Sequence, residues 1–307
     1  MRVLQIGAGG WGKNHTRVLD ELGVLVGVCD PSDKVNERIT KFHKGVFVYK
    51  TLDEAFRVEN FDTVFICTPT VTHFDIASMC LNAGKNVFVE KPMVYDPIEG
   101  EALIKLAKVR GVKLSCGYIE RFNPAVQQVK KIIDTKELGE LLHIEFHREN
   151  QTLHIKDVGI IHDTSVHDID TANFLFGNTP KRIFAHAGKY KHEHEDHAII
   201  HLEYENGVAV ITSNWITPSK IRNFTATFVN GVVTGNFLTQ QITIHTKDNS
   251  VTPKVKFQEP LRNEIESFLK AVETNTEPLV TPRQAVDVSA IASIALDSSK
   301  EGKVIEY

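Results

Sequence analysis

Residues 7–12 read Gly-Ala-Gly-Gly-Trp-Gly, after the apolar run Val3–Ile6 and before an amphipathic stretch, Gly12–Leu22. A Gly-x-Gly-x-x-Gly run alone says little. Between a strand and a helix it is the turn that a dinucleotide-binding unit requires. The first glycine permits the turn, the second lets main chain approach a pyrophosphate, and the third lets helix pack on strand. The helix N-terminus turns unpaired N–H groups toward phosphates. Gly7, Gly9, Gly10 and Gly12 are therefore expected to bind a cofactor. Trp11, inside the loop, either covers that cofactor or packs beneath it. Asp30 ends the second strand, 18 residues after Gly12, where a carboxylate accepts hydrogen bonds from an adenosine ribose. It would repel a 2′-phosphate, and Pro31-Ser32-Asp33 supplies no arginine to receive one. NAD is thus expected over NADP. The alternative for Asp30 is a cap on the helix that follows.

Strand–helix alternation continues from this loop. Val3–Ile6, Val24–Cys29, Thr63–Cys67, Asn86–Val89 and Val112–Cys116 read as strands, apolar enough to be buried on both faces of a parallel sheet. Gly12–Leu22, Asp33–His43, Leu52–Val58, His73–Ala83 and Pro97–Val109 read as helices. Beyond about residue 118 the pattern changes. Helical stretches Asn123–Thr135 and His162–Phe176 flank a strand, Leu141–Arg148, and a series of strands without helices follows as far as His245. Glu205-Asn206-Gly207 is a hairpin turn by its Asn-Gly step. Asn263–Val272 and Arg283–Ser299 return to helix, and Val304–Ile305 is placed to close on an earlier strand. The expected class is α/β: a doubly wound parallel Rossmann sheet over residues 1–118, then an α+β domain over 119–307 with a large, mostly antiparallel open sheet. A length of 307 residues agrees with two domains.

Two clusters are placed to carry chemistry. Thr68-Pro69 and Glu90-Lys91-Pro92 each follow a strand, at the carboxyl edge where ligands of open α/β sheets bind. Pro92 biases Lys91 to extended backbone. In Ile161–Asp170, Asp163 and His167 are four apart and share a helical face. A carboxylate beside an imidazole suits proton transfer near neutral pH. The other readings are a capping Asp with a core histidine, or a metal site. The run is not a His-Glu-x-x-His zinc helix, and no Gly-x-Ser-x-Gly elbow occurs.

On Gly7–Gly12, Thr68-Pro69, Glu90-Lys91-Pro92 and the Asp163/His167 pair, in that order, the chain resembles the glucose–fructose oxidoreductase/inositol dehydrogenase (Gfo/Idh/MocA) family over nearly its whole length. The resemblance implies NAD- or NADP-dependent oxidation of a ring hydroxyl of a sugar or cyclitol. It implies that Lys91 contacts the reacting hydroxyl, that His167 is the acid/base, and that Asp163 holds substrate or orients His167. Glu90 and His73 join the implied cofactor contacts, and Thr70 stands where many members have Asn. Gly117–Ala125 and Asp157–Asp163 look like the branch of UDP-N-acetylglucosamine 3-dehydrogenases. That closer likeness makes Arg121 and Asn123 candidate substrate contacts; for Arg121 an ion pair at the next helix stays open. The resemblance also implies a homodimer or homotetramer through the C-terminal sheet. A same-family dehydrogenase acting on a free sugar, an inositol or a dihydrodiol is the alternative, followed by an NAD-binding regulator without turnover.

A net charge of −4 gives no footprint for nucleic acid. No apolar run reaches the ~18–20 residues that span a bilayer, and no signal-peptide pattern opens the chain, so a cytoplasmic protein is expected. Cys29, Cys67, Cys80 and Cys116 lack a Cys-x-x-Cys pair and read as buried small hydrophobes. His186, His192, His194, His197 and His201 crowd acids; a metal is conceivable there, but a solvated polar loop is the reading adopted, and no metal is expected.

Overall fold

The computed structural model describes residues 1–151 and 158–307, so Asp157 at the start of the Asp157–Asp163 segment lies outside the described residues. Two compact units divide the chain: Met1–Gly117 with Leu261–Val286, and Tyr118–Pro260 with Asp287–Tyr307.

The first unit runs β1 (Val3–Ile6), α1 (Gly12–Glu21), β2 (Leu25–Cys29), α2 (Asp33–Phe42), β3 (Phe47–Tyr49), α3 (Leu52–Val58), β4 (Thr63–Ile66), α4 (His73–Asn82), β5 (Asn86–Glu90), α5 (Pro97–Arg110) and β6 (Leu114–Gly117). The sheet order is β3-β2-β1-β4-β5-β6, all parallel. This is the doubly wound order whose strand ends bind ligands where the winding reverses. β1, β4 and β6 are buried along their whole length, which is why they read as apolar runs. The sequence reading has no counterpart of β3. It is a three-residue edge strand with Phe47 exposed, too short and too wet to leave a pattern. Gly27 admits it: a Cβ there would meet the Tyr49 ring at 2.9 Å.

The second unit runs α6 (Pro124–Thr135), β7 (Leu141–Glu149), α7 (Val166–Phe176), β8 (Arg182–Gly188), β9 (His197–Tyr204), β10 (Gly207–Asn214), β11 (Ile221–Phe228), β12 (Gly231–Asn236), β13 (Ile242–His245) and β14 (Ser250–Val251). Helices α8 (Pro260–Glu273) and α9 (Pro282–Glu301) and strand β15 (Ile305–Glu306) complete the chain. The nine-stranded order is β14-β13-β12-β11-β7-β10-β9-β8-β15. All its pairs are antiparallel except β7 with β10. One face is core, with Ile144, Phe146, Ile200, Leu202, Ile211 and Phe224 buried. β15 closes on β8 as expected, and the Asn206-Gly207 step turns β9 into β10.

The sequence reading assigns everything after residue 118 to the second domain. Instead 261–286 counts with the first unit. The cause is the apolar face of α8: Leu261, Ile265 and Phe268 are buried, and the Phe268 ring lies 5.7 Å from Phe65 and 5.4 Å from Phe88. Downstream, Ser115 Oγ donates to the Val280 carbonyl at 2.8 Å. The division then falls inside α9, after Val286. Phe268→Ala should therefore cost ~3–5 kcal/mol in urea denaturation. A cost below ~1 kcal/mol would mean that α8 is dispensable to the Rossmann core.

Candidate active site

The glycine loop works by close approach. Gly7 has φ +80°, and a Cβ on it would stand 2.7 Å from the Cys67 carbonyl oxygen; a Cβ on Gly12 would stand 2.5 Å from that of Gly7. At Gly9 and Gly10 a Cβ would meet nothing within 4 Å. Two glycines thus close the turn and two leave open space beside it. Gln5, buried in β1, clamps the loop by donating from Nε2 to the carbonyls of Gly7 (2.9 Å) and Gly12 (2.7 Å). No side chain caps α1, and a helix start of this kind is suited to an anion.

Asp30 closes the other side. Its Oδ2 accepts from Ala8 N–H and its Oδ1 from Ser32 N–H, each at 2.9 Å. The cap of α2 is Ser32 rather than Asp30. Pro31–Asp33 supplies no arginine beside it. In the fold Arg38 comes back from α2 and donates to the Ala8 carbonyl, so a cation does reach the loop.

At the next strand ends, Thr68 is half-buried and Pro69 exposed. His73, expected at the cofactor, bonds main chain. Its ring is buried, with Nε2 2.9 Å from the Thr68 carbonyl and Nδ1 2.9 Å from that of Pro92. It ties two strand-end segments together. Burial holds its pKa below the ordinary value, although both carbonyls oppose that. Glu90 also turns inward, only 9% exposed. Its Oε1 accepts from Trp11 Nε1–H (2.9 Å) and faces His15 Nε2 (2.6 Å); its Oε2 accepts from Lys91 N–H (3.1 Å). Burial works against ionisation, but the His15 and Lys91 interactions prevail and keep its pKa below the usual carboxylate value. Glu90 is therefore a hub that joins the glycine loop and α1 to the segment carrying Lys91. Trp11 remains 49% exposed, at the open side of the loop.

In the second unit the run 161–170 is not one α-helix. Ile161–Ser165 is a π-helical turn leading into α7, a form often found at functional sites. Its acids divide sharply. Asp170, buried, takes the guanidinium of Arg121 at 2.8 and 2.6 Å. Asp168, buried, takes that of Arg148 at 2.7–3.1 Å. Asp163 and His167 stay partly exposed. Thr164 Oγ1 donates to Asp163 Oδ2 at 2.9 Å and accepts from Trp215 Nε1–H at 3.0 Å. His162 faces Ser293 Oγ at 3.3 Å, and burial lowers its pKa.

Arg121 and Asn123, expected at the substrate, both make contacts within the second unit. Arg121 is 1% exposed and lies over the Phe174 ring as well as on Asp170. Asn123 caps α6 by accepting from Ala125 N–H and donates to the Phe237 carbonyl. The histidine-rich loop is more than solvated polar chain. Buried Asp196 accepts from the N–H groups of Tyr190 (2.9 Å) and Lys191 (2.6 Å) and faces the rings of His192 (3.2 Å) and His197 (2.9 Å). Burial opposes its charge, yet these donors hold its pKa far below the carboxylate range. Among the described residues no three His, Cys, Asp or Glu side chains are arranged to hold a metal ion.

With this geometry in view, residues 1–118 match the family model of Gfo/Idh/MocA oxidoreductases with an NAD-binding Rossmann fold, and residues 126–245 match that of the GFO/IDH/MocA C-terminal domain. The inositol 2-dehydrogenase of Rhizobium meliloti is 29% identical, covering 98% of this chain and 97% of its own. The UDP-N-acetylglucosamine 3-dehydrogenase of Acidithiobacillus ferrooxidans is 26% identical, covering 89% and 88%. An Agrobacterium radiobacter oxidoreductase solved with NAD+, L-tartaric acid and magnesium shares the fold, with a TM-score of 0.92 over 100% of this chain and 98% of its own at 16% identity.

Gly9→Ala should leave the melting temperature within a degree or two and weaken NAD binding, whereas Gly12→Ala should lower both; calorimetry and thermal unfolding read the contrast. Asp196→Asn should cost ~1.5–3 kcal/mol at pH 7. Because folding depresses the Asp196 pKa, its stabilisation is full above about pH 4 and fades as pH falls toward the folded value. The gap between wild type and variant in urea denaturation should therefore narrow below pH 4 and stay constant from pH 6 to 8.

Proposed function

The chain belongs to the Gfo/Idh/MocA oxidoreductases, and on that premise we propose that it oxidises the C3 hydroxyl of UDP-N-acetylglucosamine or a related nucleotide sugar to the ketone. The observation that carries the chemistry is the sorting of acids in 161–170. Asp168 and Asp170 are buried on arginines, while Asp163 and His167 keep exposure.

The residues of the first unit fit a dinucleotide: open space at Gly9 and Gly10, an uncapped helix start and Asp30 at the strand end. Nicotinamide supplies the hydride acceptor when bound. Lys91, set in place through Glu90, holds the reacting oxygen and stabilises negative charge on it. His167 takes the hydroxyl proton, and Asp163, oriented by Thr164, holds substrate or steadies the imidazolium. The closer sequence likeness and the similarity to a UDP-N-acetylglucosamine 3-dehydrogenase support the nucleotide sugar. The similarity to an inositol 2-dehydrogenase supports the alternative, a cyclitol. Leu142, Phe184 and Ile199 are exposed on the sheet of the second unit, which supports pairing with a second copy there.

The test is a substrate panel read by NADH absorbance, with a keto acid added in a parallel series in case the cofactor is recycled in place. Turnover of UDP-N-acetylglucosamine or its uronic acid, without turnover of inositol or glucose, is expected. His167→Ala should lower turnover ~10²–10⁴-fold with NAD affinity unchanged. Near wild-type activity in that variant would remove His167 from the mechanism.

A further inference from the structure

Arg222 lies in β11, and its Cα stands opposite that of Arg148 in the antiparallel pairing with β7. Like charges directly opposite one another destabilise a sheet. The two arginines are compensated unequally. Arg148 bonds Asp168, and its Nη1 donates to Glu120 at 3.0 Å. Arg222 bonds neutral oxygens: Nη1 donates to the carbonyls of Glu149 (3.1 Å) and Ile221 (2.9 Å), and Nη2 to the side-chain oxygen of Asn150. Among the described residues no carboxylate forms an ion pair with it. Burial first, and the charge of Arg148 second, bring its pKa down to about 10, and Asp168, Glu120 and Asp163 offset this only in part.

A guanidinium keeps its proton at neutral pH. Arg222 is thus a permanent, partly buried cation for which the described residues supply no ion-paired carboxylate, a costly arrangement. Such violations of local consistency concentrate at functional sites. The place agrees, because Asp163 is among the acids whose charge reaches Arg222.

We infer that Arg222 is a substrate-binding residue for an anionic group, either a sugar carboxylate or the diphosphate of a nucleotide sugar. The inference rests on the dehydrogenase reading of Asp163 and His167, and it narrows the substrate to an anionic sugar. The planar fork of a guanidinium fits either group bidentately.

The experiment uses the full chain and its Arg222→Gln and Arg222→Lys variants. Thermal unfolding without ligand is measured first, then binding of glucuronate and of pyrophosphate by calorimetry, then KM and kcat on UDP-N-acetylglucosamine, its uronic acid and myo-inositol. Arg222→Gln should raise KM for anionic substrates ~10–100-fold, the size of lost hydrogen bonds to a charged group. KM for any neutral substrate and kcat should hold within about threefold, and the melting temperature should stay level or rise. Arg222→Lys should recover part of the affinity. Whichever of glucuronate and pyrophosphate loses affinity identifies the anion. Unchanged affinity for both, no binding of either by wild type, or a lower melting temperature with all substrates equally affected would overturn the assignment. Should wild type oxidise no sugar, the dehydrogenase reading fails by itself, and the glucuronate and pyrophosphate titrations still decide Arg222.

Discussion

Two main-chain approaches near the N-terminus set the conditions for everything else in the first unit. The segment after β1 must pass close enough to Cys67 and to the start of α1 that neither Gly7 nor Gly12 tolerates a Cβ. Only glycine meets this steric demand, and at Gly7 the positive φ adds a second reason. Once the turn is closed, Ala8 presents its N–H to Asp30 and Trp11 presents its indole N–H to Glu90. The loop is thereby tied at both flanks to carboxylates at strand ends, one on β2 and one on β5.

Those carboxylates show why the same chemical group serves opposite ends. An ion taken out of water needs donors to replace its hydration. Asp30 has two main-chain N–H groups, and Glu90 has an indole, an imidazole and a main-chain N–H. Asp168 and Asp170 each have a guanidinium, and Asp196 has a ring of main-chain and imidazole donors. In each case the donors offset the loss of hydration, and removing the guanidinium from a buried ion pair such as Arg121–Asp170 typically costs ~3–5 kcal/mol. Asp163 differs because it keeps exposure and receives its hydroxyl donor from Thr164.

Much of the fold was legible because its signals are local. Parallel strands buried on both faces read as apolar runs, and Asn206-Gly207 read as a hairpin from two residues. The glycine loop and Asp30 were legible for the same reason, since strand, turn and helix lie within thirty residues. What stayed hidden depends on partners far apart in the chain. Nothing near Arg121 announces Asp170, 49 residues on, and nothing near Trp11 announces Glu90, 79 residues on. Arg38 reaches Ala8 from 30 residues away. A short wet edge strand such as β3 and the π turn at 161–165 are set by packing rather than periodicity, so the helix read over 162–176 begins differently from its pattern.

The same distinction separates Arg121 from Arg222. Read as text, Arg121 is the better candidate, since it sits in a family-like segment just beyond the first domain. Read as charge, it is neutralised by Asp170 and sealed from solvent. Arg222 has no motif around it, but among the described residues its side chain bonds only neutral oxygens. Residual charge is a property of the folded arrangement, because it depends on which acids have been claimed by which arginines. In this unit Arg148 takes both Asp168 and Glu120, and among the described residues no other carboxylate pairs with the cation opposite it.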